Sequence, residues 1–165
     1  MKPTLCLLFT QVFATLLFVG CTTANEHSSP VELRPAANAS VKDWQRMDFH
    51  VGGLDTWISP KAAVVRDDIL FATEETNRHG EHTVTLEFTS HGAASINALS
   101  NDRSSRAVAV LLNGKIIAAP VLMTPVKDRL TINFGSTEEA AKEAKALEEA
   151  VNDAPDSDTT TTSTH

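Results

Sequence analysis

Apolar and polar positions divide this chain into an apolar start, two polar stretches and a middle where short periods alternate. Leu5 to Val19 is apolar except for Thr10, Gln11 and Thr15. Thr22 to Ser40 is polar and rich in small residues, carries Pro30 and Pro35, and has no apolar period, which predicts a disordered tether over 21–43. Asp153 to His165 is a Pro-Asp stretch followed by a threonine run, too polar to pack, and predicts a loose tail. The folded domain is expected over 44–152.

Within that domain His82 to Phe88 alternates, with Val84, Leu86 and Phe88 on one face, and predicts a strand with one wet face. Ser90 is placed to cap a helix holding Ala94, Ile96, Ala98 and Leu99. Arg106 to Leu112 is apolar on both faces, as in a central strand. Asn113-Gly114 supplies a tight hairpin turn, because both residue types tolerate positive φ. Lys115 to Met123 returns as a second strand, and Pro120 within it demands an edge or a bulge. Arg129 to Phe134 alternates again up to Gly135. Ser136 with Glu139 then reads as a capping box for a helix whose buried stripe is Ala140, Ala144, Leu147 and Val151. Glu138 with Lys142 and Lys145 with Glu149 are helix-neighbour ion pairs. Upstream, Leu54 to Ser59 is an added strand, and Ala62 to Leu70 a short helix or a loop with a turn. The order predicts an α+β domain, a mostly antiparallel sheet with two helices packed on one face.

The apolar start changes how the rest is read. Lys2 is the only charge before Cys21, and the run ends Leu17-Phe18-Val19-Gly20-Cys21. A basic start, a short apolar middle and small residues before a cut form an export signal over 1–20. The run is short of the roughly 20 apolar residues of a membrane span. The Gly20-Cys21 ending resembles the bacterial lipobox, in which the cysteine takes a lipid and becomes the new N-terminus. Phe18 departs from that pattern, and a plain signal peptide cut after Ala24 is the alternative. The chain has two cysteines, and Cys6 lies inside the signal, so Cys21 is left without an intramolecular partner. The lipid reading places the domain in the cell envelope, facing the periplasm. Thr22 stands where an inner-membrane retention signal would often have Asp, which leans toward the outer membrane. The formal charge of −7 and the lack of a basic stripe exclude nucleic acid as the expected partner.

The run from His82 to Val151 resembles the head subdomain of the large periplasmic loop of SecD, a subunit of the protein-export motor. The resemblance rests on five features in order: Leu86-Glu87-Phe88; His91-Gly92-Ala93; Arg106-Ala107-Val108-Ala109-Val110-Leu111-Leu112-Asn113-Gly114-Lys115; Ile116-Ile117-Ala118-Ala119-Pro120-Val121; and Leu130 to Gly135 leading into Ser136-Thr137-Glu138-Glu139-Ala140. No membrane-spanning helices are expected after these features, and so no proton path. The resemblance implies a shared fold module with an affinity for polypeptide, not a translocation motor.

Chemistry is sparse. His79, His82 and His91 lie close in sequence with Glu74, Glu75, Glu81 and Glu87 nearby, which is the one place to look for a metal or hydrolytic site. His82 and Glu87 have odd spacing on a strand and point to opposite faces, so a solvated polar loop is the plainer reading. There is no Gly-x-Ser-x-Gly turn, and Val51-Gly52-Gly53-Leu54 is no phosphate loop. Asp67-Asp68 reads as exposed charge, and Arg103 and Arg106 as surface charge. The expectation is a non-enzymatic binding or accessory lipoprotein without a cofactor, contacting exported polypeptide or another envelope protein. The candidate site is the strand edge at Ile116, Ala118, Pro120 and Leu122, where an extended peptide could add. The alternatives are a metal or hydrolytic protein using the three histidines, and a passive structural lipoprotein.

Overall fold

The computed structural model describes residues 29–51, 54–101 and 107–153. The export segment with Cys21, Gly52-Gly53, Arg103, Arg106 and the threonine tail lie outside the described residues. Among the described residues the strands are β1 (Val31–Ala37), β2 (Gln45–Val51), β3 (Leu54–Ile58), β4 (Val64–Val65), β5 (Ile69–Thr76), β6 (His82–Phe88), β7 (Ala107–Leu112), β8 (Lys115–Ala118) and β9 (Arg129–Gly135). The helices are α1 (Ser90–Asn101) and α2 (Glu138–Asn152), and a 3-10 turn spans Arg66–Asp68.

The fold is α+β with antiparallel pairing, as the periodicity predicts, but the strands divide between two sheets. One runs β2-β3-β1-β7-β8, with β4 also pairing β1; the other runs β5-β6-β9. Helix α2 packs on β5, β6 and β9, and α1 lies against β4, the 3-10 turn and β6. The main core gathers Val31 and Leu33 of β1, Val84 and Leu86 of β6, Ile96 of α1, Val108 and Val110 of β7, Ile132 of β9 and Leu147 of α2. A second apolar cluster, Ala36, Ile58, Ala109, Leu111 and Ile116, covers the opposite face of the larger sheet.

The tether expected over 21–43 is corrected in its second half. Val31–Ala37 is the middle strand of the larger sheet and pairs with β7 from Val31↔Leu112 to Ala36↔Ala107. Val31 and Leu33 point into the main core. On the other face Glu32 and Arg34 neutralise each other at 2.6 Å. Pro35 is tolerated because its carbonyl accepts from Ser59 N–H, away from β7, and its nitrogen faces the same side. That side is the gap where β1 changes partner from β3 (Ala36↔Ile58) to β4 (Leu33↔Val64). The missing donor therefore removes no bond to β7.

Both helix caps shift by one residue from the expected positions. Thr89, not Ser90, accepts from Gly92 N–H at 3.1 Å, and Thr137, not Ser136, accepts from Ala140 N–H at 3.1 Å. In α1 the buried side is Gly92, Ile96, Leu99 and Ser100, while Ala94 and Ala98 are exposed. The stripe of α2 is buried as expected, and both of its helix-neighbour ion pairs form. Ala62 to Leu70 holds β4, the 3-10 turn and the start of β5 rather than a helix. At the β7–β8 turn Asn113 has φ 50° and Gly114 φ 79°, the signature of a two-residue hairpin turn.

Candidate functional site

Strand edges are where an extended chain can add, because their outward backbone groups lack a partner strand. Edge strand β5 is closed by its own helix. Asn152 Oδ1 accepts from Ala72 N–H at 3.0 Å, and its amide donates back to Ala72 O at 2.9 Å. Glu148 Oε1 accepts from Glu74 N–H at 2.9 Å. The end of α2 thus satisfies the β5 edge with side chains in place of a strand.

Strand β8 is different. It ends the larger sheet, and among the described residues no strand pairs with its outer side. The expected strand Lys115 to Met123 is shorter, stopping at Ala118. The chain nevertheless stays beside β7: Val108 N–H donates to Pro120 O at 3.0 Å, and Val121 bridges Ala107. Of the four residues expected at this edge, Ile116, Ala118 and Leu122 turn their side chains into the cores, and Pro120 is half-buried. What projects instead is Val121, 53% exposed, and Met123, 78% exposed. Sequence reasoning missed these two because apolar residues on a strand are first assigned inward. β2 and β9 also have one partner strand each, and the β2 ladder carries a register shift between Met47 and His50. Among the described residues exposed large apolar side chains lie at two edges: Leu70 and Phe71 on β5, whose backbone α2 closes at Ala72 and Glu74, and Val121 and Met123 after β8, whose outer side has no partner strand.

The three histidines do not converge. His82 Nδ1 meets Glu74 Oε1 at 2.8 Å across the β5–β6 pair. His91 Nδ1 meets Asp68 Oδ1 at 2.6 Å at the start of α1. His79 is exposed in the turn after β5. Among the described residues no three His, Cys, Asp or Glu side chains are grouped so as to hold one metal ion. Asp68 is not exposed charge either: it is buried, and its Oδ2 accepts from Val65 N–H at 3.0 Å.

A second feature lies where the chain enters the fold. A groove of about 910 Å³ is bordered by Ser29, Glu32, Arg34, Lys61, Arg66 and Asp67. Arg34 Nε and Nη2 both meet Glu32 Oε2, and its Nη1 donates to Pro60 O at 3.0 Å. Ser29 Oγ accepts from Arg66 N–H at 2.9 Å, which ties the first described residue to the groove wall. At the same end Asn113 N–H donates to Pro30 O at 2.8 Å, fixing the β7–β8 turn beside the entry.

Among the described residues no helix is long and apolar enough to cross a membrane. No curated protein matches the chain. Solved SecDF structures do, among them the following two. One, of a membrane component SecDF that enhances protein export, aligns over 73% of this chain and 61% of its own, at 18% identity and a TM-score of 0.50. The other, SecDF in a super-membrane-facing form, aligns over 73% of this chain and 18% of its own, at 16% identity and a TM-score of 0.49. The chain thus spans less than two thirds of the first structure, and at 18% identity that likeness is one of fold. Among family models, that of the SecDF P1 head subdomain matches residues 46–150, which adds β2 to β5 to the stretch from His82. The chain belongs to the SecDF P1 head subdomain family.

Proposed function

We propose that this protein is an envelope lipoprotein, anchored through Cys21, that holds extended exported polypeptide against the β8 edge from Ile116 to Met123 without catalysing a reaction. Membership of the SecDF head family supports a role related to protein export. The single observation that carries the peptide reading is the contrast between edges: β5 is closed by Asn152 and Glu148, while β8 is unpaired and followed by exposed Val121 and Met123. Strand addition draws its affinity from main-chain hydrogen bonds and its selectivity from pockets or exposed apolar contacts beside them. A strand of only four residues, Lys115–Ala118, gives a short, weak and reversible site rather than an aggregating edge.

The test is an NMR titration of the chain from residue 21 with extended peptides. Amide shifts confined to 115–123 and the facing β7 support the reading. No shifts at millimolar peptide, or shifts centred on β5, overturn it. The anchor has its own test: Cys21→Ala releases the protein from membranes while its circular dichroism is unchanged, and retention after a high-salt wash refutes the anchor. Density-gradient fractionation then decides for or against the outer membrane.

A further inference from the structure

The position of β1 fixes how far the domain can stand from its anchor. With the strand beginning at Val31 and Ser29 bonded to Arg66, eight peptide steps separate Cys21 from Ser29. Fully extended at 3.3–3.6 Å per residue they span about 28 Å at most. The entry point and the groove are the same place, since Ser29 forms part of the groove wall. The groove therefore lies on the side of the domain from which the chain runs to the anchor.

Its chemistry fits that position. On a chain of net charge −7, the groove gathers Arg34, Lys61 and Arg66 against Glu32 and Asp67, a local excess of positive charge. Lys61 is exposed. Arg66 Nη1 donates to Ile69 O at 3.0 Å, while its Nε is buried and makes no hydrogen bond among the described residues. Guanidinium and ammonium groups pair well with phosphate oxygens. We propose that this groove docks on the anionic phospholipid headgroups of the membrane that carries the anchor, a reading that rests on the Cys21 anchor. The domain then stands with the β7–β8 turn toward the lipid and β8 rising away from it. A contact too weak to recruit a free domain suffices here, because a short tether imposes an effective concentration of about millimolar.

The test replaces the biological anchor with a chemical one, so that it does not depend on lipidation in the cell. Cys21 is the only cysteine from residue 21 onward, and that stretch retains every described element. This chain is coupled through Cys21 to vesicles bearing maleimide lipid, made of phosphatidylcholine alone or with one third phosphatidylglycerol. Lysine acetylation is followed residue by residue by mass spectrometry. The expected result is that Lys61 reacts at least about threefold more slowly on the phosphatidylglycerol vesicles, while Lys42, beyond the far end of β1, is unchanged. Equal rates on both vesicles overturn the proposal, whether Lys61 is reactive or shielded by crowding alone. So does protection of Lys61 by inorganic phosphate without vesicles, which makes the groove an ion site rather than a membrane face. Failure of the anchor reading shows separately, as a free Cys21 thiol in the exported protein.

Discussion

Gly92→Ala sets two effects of opposite sign against each other. In an exposed helix interior, alanine in place of glycine stabilises by about 0.8–1 kcal/mol. Gly92 is buried at the third position of α1. A Cβ there would lie 2.3 Å from the carbonyl oxygen of Asp68 and 3.0 Å from its Cβ. That carbonyl is backbone and is already engaged, accepting from Thr89 N–H at 2.9 Å. The carboxylate of Asp68 is held by Val65 N–H and His91, so the turn cannot step aside without losing bonds. Overpacking costs about 1–3 kcal/mol, and the loss of the Thr89 hydrogen bond about 1 kcal/mol more. After the helix gain is subtracted, the variant is expected to lose about 1–3 kcal/mol. Urea denaturation followed by the fluorescence of Trp44 and Trp57 reads this directly. With a slope of about 1–3 kcal/mol/M, the midpoint should fall by on the order of 1 M with the slope unchanged. A midpoint equal to or above that of the parent would refute the close seating of α1 on the 3-10 turn.

Leu147, fully buried in the main core, should cost about 2–5 kcal/mol on change to Ala, and a loss under 1 kcal/mol in the same denaturation assay would contradict its place in the stripe. Gly114→Val meets no atoms but keeps a φ of +79°, so backbone strain alone should cost about 1–2 kcal/mol; an unchanged midpoint would argue against the hairpin turn. A chain beginning at residue 44 lacks β1 and should be unfolded by circular dichroism, whereas one beginning at residue 29 should fold; a cooperative transition in the shorter chain would sink the central placing of β1. Asn152→Ala uncovers both backbone groups of Ala72 and should promote self-association, visible as earlier elution in size-exclusion chromatography that grows with concentration.

What the sequence disclosed followed from strong local signals. The alternation at β6 and β9, the Asn113-Gly114 turn and the alanine-leucine stripe of α2 each tie one residue pattern to one geometry, and each is found where expected. Strand β1 was hidden because its period is masked by tertiary compensation. Glu32 and Arg34 look like solvated charges until each other's partner is known, and Pro35 looks like a breaker until the gap between β3 and β4 is seen. The same applies to the site. That β8 is an edge was legible from Pro120, but the closure of β5 by Asn152 joins residues far apart in sequence, and no local pattern marks it. The groove was invisible for the same reason, since Ser29, Arg34, Lys61 and Arg66 meet only once β1 is in place.

The central position of β1 also bears on the order in which the fold can form. Val31 finds its partner only at Leu112, and Ala36 only at Ala107. A chain that emerges N-terminus first, from a ribosome or across a membrane, presents β1 early and must wait for β7 before the larger sheet can close. Such non-local pairing is slow, because a long loop must be ordered before any contact rewards it. The hairpin β5–β6 can form sooner, but α2, which covers β5, arrives last of all. Until then β1 and the β5 edge are both open to other chains. The larger sheet and the β5 edge therefore stay incomplete until the residues from Ala107 onward are available to pair with them.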